Sequence, residues 1–134
     1  MQYMLDTNMC IHIIKYRPSV VCDRLSSLSI EDVSISSIVA AELWYGIALS
    51  EKKKQNEGAL KDFFNYVRIF DWPSGAGPFY GRIRADLKKK GTPIGAMDLL
   101  ISAHALFLDS ILVTDNTREF TRVRGLKIEN WLER

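Results

Sequence analysis

Asp6 ends a short apolar run, residues 2–5, and is followed by Thr7 and Asn8. Glu42 lies among Val39, Ala40, Ala41, Leu43 and Trp44, and Asp98 sits between Met97 and Leu99. Thr114, Asp115 and Asn116, with Glu119 three residues on, follow the apolar run 111–113. Carboxylates are almost never buried without a partner, and no Arg or Lys stands beside Asp6, Glu42 or Asp98. Each residue alone has an ordinary explanation: a helix cap for Asp6, a solvent-facing position for Glu42, a helix-dipole partner for Asp98. Taken as a set they point elsewhere. Carboxylates gathered without cations raise one another's pKa, and a hard divalent cation relieves that conflict. Mg²⁺ favours a few carboxylates plus several waters. It lowers the pKa of a bound water and stabilises charge on a phosphoryl oxygen. Phosphodiester hydrolysis is the chemistry such a set would perform. The chain carries no HExxH, Cys/His cluster or GxxxxGK[ST], against a zinc peptidase or P-loop NTPase. His12 and His104 read as core or surface residues rather than as a catalytic pair.

The elements that must position these groups can be read coarsely. Residues 2–5 predict a buried strand, and Asp6 then caps a helix carrying Met9, Ile13 and Ile14. Residues 33–36 alternate like a short strand, and Ser36 or Ser37 can cap a helix through Ile38, Ala41, Leu43, Trp44 and Ile47. Helical spacing recurs over 54–67 and is followed by a possible strand at 68–70. A further helix over 79–90 closes at Gly91. Pro93 and Gly95 introduce a helix that is apolar almost all round, which predicts burial. The clearest strand is 111–114, with a possible last one at 126–128. Short strands that are apolar on both faces, alternating with helices, predict an α/β fold. The expected architecture is a central, mostly parallel sheet of four to five short strands flanked by helices. In such sheets ligands collect at the carboxyl ends of the strands, where Asp6 and Thr114 both fall.

The 134 residues support one domain, 1–134, with 47% hydrophobic and 25% charged residues and a net charge of +2. That composition excludes a disordered chain, and no apolar run approaches the ~20 residues of a membrane span. No repeat or linker interrupts the chain. The first ten residues lack the basic n-region of a signal peptide. Cys10 and Cys22 fit reduced thiols, so a cytoplasmic protein is expected.

Four segments together resemble the PIN-domain ribonucleases, and more closely their VapC toxin branch: Met4-Leu5-Asp6-Thr7-Asn8, Ala41-Glu42-Leu43-Trp44-Tyr45-Gly46, Gly91-Thr92-Pro93-Ile94-Gly95-Ala96-Met97-Asp98, and Leu112-Val113-Thr114-Asp115-Asn116-Thr117-Arg118-Glu119-Phe120. The match runs nearly the whole chain in order. The resemblance implies a PIN fold, Mg²⁺- or Mn²⁺-dependent endoribonuclease activity leaving a 5′-phosphate, and inhibition by a VapB-type antitoxin. It further implies a homodimer and contact with operator DNA through the antitoxin. It carries the metal ligands onto Asp6, Glu42 and Asp98, with Thr7, Asn8 and Thr114 in support. Where many PIN domains have Thr-x-Asp this chain has Asn116, so Asn116, Glu119 or Asp115 fills the last acidic position.

Arg82, Arg84, Lys88, Lys89 and Lys90 are the basic residues expected to hold RNA, the lysines because they run into the 91–98 segment. The cluster at 52–54 fits a solvated helix face equally well. Sequence-specific RNA recognition usually targets single-stranded loops. Similar VapC toxins cut tRNA anticodon loops, which makes a tRNA, and specifically initiator tRNA, the expected substrate. Phe64 is expected in the core. Part of the Trp44, Tyr45, Phe63 and Tyr66 set is expected at an antitoxin or dimer surface. Two alternatives remain: a non-catalytic PIN-like binding module, and a response-regulator-like phosphoacceptor domain. Against the second, the chain lacks the acidic pair after the first strand, the mid-chain phosphoacceptor Asp at a strand end and the late strand-end Lys that such a domain carries.

Overall fold

A computed structural model describes residues 2–16 and 20–132. Five strands form one sheet: β1 (Tyr3–Leu5), β2 (Val33–Ser36), β3 (Arg68–Phe70), β4 (Ile111–Val113) and β5 (Ile128–Glu129). Their order is β3-β2-β1-β4-β5, with every neighbouring pair parallel. The helices are α1 (Thr7–Lys15), α2 (Val20–Ser26), α3 (Ser37–Leu49), α4 (Lys53–Phe63), α5 (Gly77–Lys90), α6 (Ala96–Leu108) and α7 (Thr117–Phe120). The chain builds outward from β1 to β3, then returns to lay β4 on the other side of β1. That reversal leaves a crevice at the carboxyl ends of β1 and β4, the usual ligand position in such sheets.

Local chemistry explains the element boundaries. Every residue of β1, β2 and β4 is buried, as a sheet covered on both faces requires. Asp6 caps α1 and Ser36 caps α3 through their side-chain oxygens. Gly91, at φ 70°, closes α5 in the left-handed conformation that glycine adopts without steric cost. The main core gathers around the sheet. A smaller one joins α5 to α6 through Ala76, Ile83, Leu87, Leu99, Ala103 and Val123. Trp72 bridges two elements, donating its backbone N–H to Ser37 Oγ and its indole N–H to the Leu100 carbonyl. Among the described residues neither Cys10 nor Cys22 forms a disulfide. No helix among the described residues is long and apolar enough to cross a membrane.

Several expectations need correction. The helix expected over 54–67 stops at Phe63, and Val67 is instead buried in the turn before β3. β4 ends at Val113 rather than 114, and the last strand is 128–129 rather than 126–128. The helices α2 and α7, too short to show a clear period, were not expected. α6 is not buried all round, since Met97 and Phe107 are exposed. Phe63 is fully buried and Phe64 only partly so, which reverses the expected order. The cause is that Phe63 shares the inward stripe of α4 with Leu60. Trp44, Tyr45 and Tyr66 are exposed, as expected of a surface set.

Candidate active site

Asp6 sits where β1 gives way to α1. It is only 4% exposed, and its Oδ1 accepts the Met9 N–H at 2.9 Å. Burial pushes its carboxyl up to about 6, against hydrogen bonds from Thr114 and Met9, with the charges of Asp115 and Glu42 pushing further. Thr114 is itself buried at the end of β4. Glu42 lies in the second turn of α3, where its Oε1 accepts the Thr7 hydroxyl at 2.7 Å. α1 and α3 are thereby tied at the site. α3 is set from behind as well, because the Ser36 hydroxyl that caps it stands 2.8 Å from His104 Nδ1 on α6. His104 is buried, and burial lowers its pKa. It sits in the core, one of the two places expected for it.

Asp98 occupies the first turn of α6. Burial raises its pKa to about 7, followed by the hydrogen bond and charge of Glu119 and the charges of Glu42 and Asp6. Glu119 moves the other way. The hydrogen bond from Asp98 lowers it most, and the Gly95 N–H, Asn116 and Arg122 hold it down further. The two shifts have one cause, the closeness of the two carboxyls, which raises Asp98 and lowers Glu119. Glu119 accepts the Gly95 N–H at 3.1 Å on Oε1 and the Asn116 side-chain amide at 3.0 Å on Oε2. Asn116 is in turn steadied by its own N–H, which donates to Thr114 Oγ1 at 2.9 Å.

Asp6, Glu42, Asp98 and Glu119 thus converge electrostatically from four separate segments. Asp115 is exposed, although its charge reaches Asp6. Asn8 is exposed at the head of α1. Among the described residues no Lys or Arg forms an ion pair with Asp6, Glu42 or Asp98. Nor do three His, Cys, Asp or Glu side chains close up as a metal cage would. An open carboxylate set of this kind suits Mg²⁺, which takes one or two protein carboxylates and fills the rest of its shell with water and substrate oxygens. Asp6 and Asp98, with raised carboxyls and no cationic partner, are acids whose ionisation a bound cation would favour.

Three contributors escaped the sequence reading. The Gly95 N–H fixes Glu119, and the Ser36–His104 pair ties α3 to α6. Arg122 donates to the Pro93 carbonyl at 3.2 Å and lends Glu119 a positive neighbour. Only Arg122 left a signal, lying three residues beyond Glu119. Of the basic residues, Lys88 to Lys90 form the last turn of α5 and lead through Gly91 to the site. Lys90 is paired with Asp86 at 3.1 Å. Arg84 donates to the Tyr80 hydroxyl, and Arg82 lies over the Phe79 ring.

Residues 3–126 match the model of the PIN domain. The chain is 42% identical over 132 residues to Ribonuclease VapC2 of Rickettsia felis, covering 98% of each chain. It is 39% identical over 131 residues to the tRNA(fMet)-specific endonuclease VapC of Shigella flexneri, again covering 98% of each. In three dimensions it resembles VapBC2 from Rickettsia felis bound to a DNA fragment from their promoter, with a TM-score of 0.93 and 42% identity. That match covers 98% of this chain and 99% of the other. With the acids at the crevice between β1 and β4, these likenesses place the chain in the PIN-domain family, as a VapC ribonuclease.

Proposed function

We propose that the chain is a Mg²⁺-dependent endoribonuclease toxin whose substrate is a tRNA, initiator tRNA first among them, and which a VapB-type antitoxin restrains. The observation that carries the metal-dependent reading is the meeting of Asp6, Glu42 and Asp98 without a cationic partner, two of them with carboxyls raised to about 6 and 7. Asp6 and Asp98 would hold Mg²⁺, or Mn²⁺, with Glu42 steadying its water shell. When bound, the ion supplies a lowered pKa for a water and neutralises charge on the phosphate. Glu42, anchored by Thr7, can take a proton from the attacking water. Asn116 stands ready to orient a water or a phosphate oxygen, and Glu119 keeps Asp98 in place. The Asn116 departure leaves Glu119 as the last acid, and Asp115 lies too far into solvent for that role.

The tRNA assignment is supported by the name of the Shigella flexneri relative. The antitoxin assignment is supported by the Rickettsia felis VapBC2 assembly. An apolar groove of about 280 Å³ between α1, α3 and α4 also supports it. Ile11, Ile14, Leu43, Ile47 and Leu60 line the groove, and Glu42 stands among them. An antitoxin segment seated there would lie against a catalytic carboxylate. Operator DNA would then be reached through the antitoxin, and a homodimer is the expected toxin assembly. Incubation with total RNA should give Mg²⁺-dependent cleavage that EDTA and Asp6→Ala both abolish. Purified initiator tRNA should be cut in its anticodon loop, and elongator tRNAs spared. Cleavage undiminished by EDTA would overturn the metal-dependent reading.

A further inference from the structure

A second cleft, of about 290 Å³, is lined by Arg82, Ile83 and Asp86 of α5 and by Arg124 of the connection between α7 and β5. None of the catalytic acids lines it. Its charge is lopsided. Asp86 is already committed to Lys90 at 3.1 Å, whereas among the described residues neither Arg82 nor Arg124 forms an ion pair. Two guanidinium groups on the walls of one cleft repel each other unless an anion lies between them. The arrangement is built rather than accidental. Val123, next to Arg124, is buried with Ile83 and Leu87 of α5. Gly125, at φ 85°, turns the chain immediately after Arg124. The Arg82 guanidinium lies 4.9 Å from the centre of the Phe79 ring.

Phosphate is the anion whose geometry suits a pair of guanidinium groups. Continuity with the active site indicates that it belongs to a nucleic-acid strand. From Arg82, α5 runs eight residues, about 12 Å, to Lys90 and then through Gly91 toward Asp98. On the other wall Arg122, two residues before Arg124, touches Pro93 and bears on Glu119. Cations therefore stand between the cleft and the acids on both walls, Lys90 beyond Asp86 on α5 and Arg122 on the other side. We propose that the Arg82–Arg124 cleft is a phosphate subsite, holding the RNA strand a few nucleotides from the scissile bond. This rests on the ribonuclease reading above.

Binding of a fluorescently labelled single-stranded RNA, measured across a salt series, tests the subsite. All proteins carry Asp98→Asn so that the RNA stays intact. Each phosphate contact contributes about 0.7 to the slope of log affinity against log salt for a single strand. Arg82→Gln/Arg124→Gln should flatten that slope by about 1.4 and weaken binding about tenfold. Arg82→Lys/Arg124→Lys, which keeps the charge, should restore most of the slope. Lys61→Ala/Lys127→Ala removes the same formal charge from lysines already paired with Glu57 and Asp109, and should leave the slope alone. Inorganic phosphate at constant ionic strength should weaken RNA binding by the parent more than by the Arg82→Gln/Arg124→Gln variant, which has lost the subsite. An unchanged slope in the Gln variant, an equal loss in the Lys61/Lys127 control, or equal competition by phosphate in the parent and the Gln variant would overturn the subsite and leave the nuclease assignment standing. No RNA binding by the Asp98→Asn parent would overturn both.

Discussion

At the scale of single residues, burial leaves Asp6 and Asp98 as acids whose ionisation costs stability. Asp98 is the clearest case, with its carboxyl raised to about 7 by burial and then by Glu119. Asp98→Asn keeps the volume and can still donate to Glu119, but no longer carries a charge that must be compensated. It should stabilise the metal-free protein at pH 8 by about 1 kcal/mol, a modest figure because Asp98 is only half-buried. RNA cleavage should fall by about a hundredfold or more. Thermal melts in EDTA and initial cleavage rates check the two halves separately. Glu119→Gln acts on the same pair from the other side. By removing a negative charge and the strongest acceptor, it should bring the Asp98 titration in metal-free protein down from about 7. Carboxyl ¹³C NMR would follow that shift. Asp6 and Asp98 were legible in the sequence because an acid beside buried hydrophobes is conspicuous. The pairing of Asp98 with Glu119 was not, since it depends on how the 91–98 segment folds against α7.

At the scale of elements, the catalytic groups are only as well placed as the helix ends that carry them. Ser36 caps α3 and also meets His104, whose Nε2 finds no protein partner among the described residues. Ser36→Ala should cost about 2 kcal/mol, combining a lost cap with an unpaired buried imidazole nitrogen. It should also lower the cleavage rate by letting Glu42 drift, so chemical denaturation and single-turnover cleavage should report the loss together. Gly91 ends α5 at φ 70° and points the chain toward Asp98. Gly91→Ala should cost about 1 kcal/mol from left-handed backbone strain, read as a lower urea midpoint with an unchanged slope. The strands and the long helices were visible as apolar runs and helical periods. α7 was not, because a four-residue helix shows barely one turn of any period.

At the scale of the whole molecule, stability and metal binding should be linked through pH. Asp6 and Asp98 have folded-state pKa values above their unfolded ones. Their cost is absent below about pH 4, where both states are protonated, grows as pH rises toward the folded values of about 6 and 7, and is complete above them. His104 has a lowered folded pKa, so its contribution is present above about pH 6.5 and is lost as pH falls below that value. Between pH 6.5 and 8 the Asp98 effect dominates. The melting temperature in EDTA should fall across that window, and the gap between Mg²⁺ and EDTA melts should widen. A gap that stays constant with pH, or that persists in Asp98→Asn, would remove the acids from metal binding. Residue types and their order along the chain were enough to indicate the α/β class, the acidic set and the family likeness, because burial patterns and cap chemistry are local properties. Only packing decided which aromatic of the Phe63-Phe64 pair turns inward, that Glu119 rather than Asp115 joins Asp98, and that Arg124 lines the same cleft as Arg82. Those outcomes depend on the angles at which helices meet the sheet, and such angles are set by contacts between residues far apart in the chain.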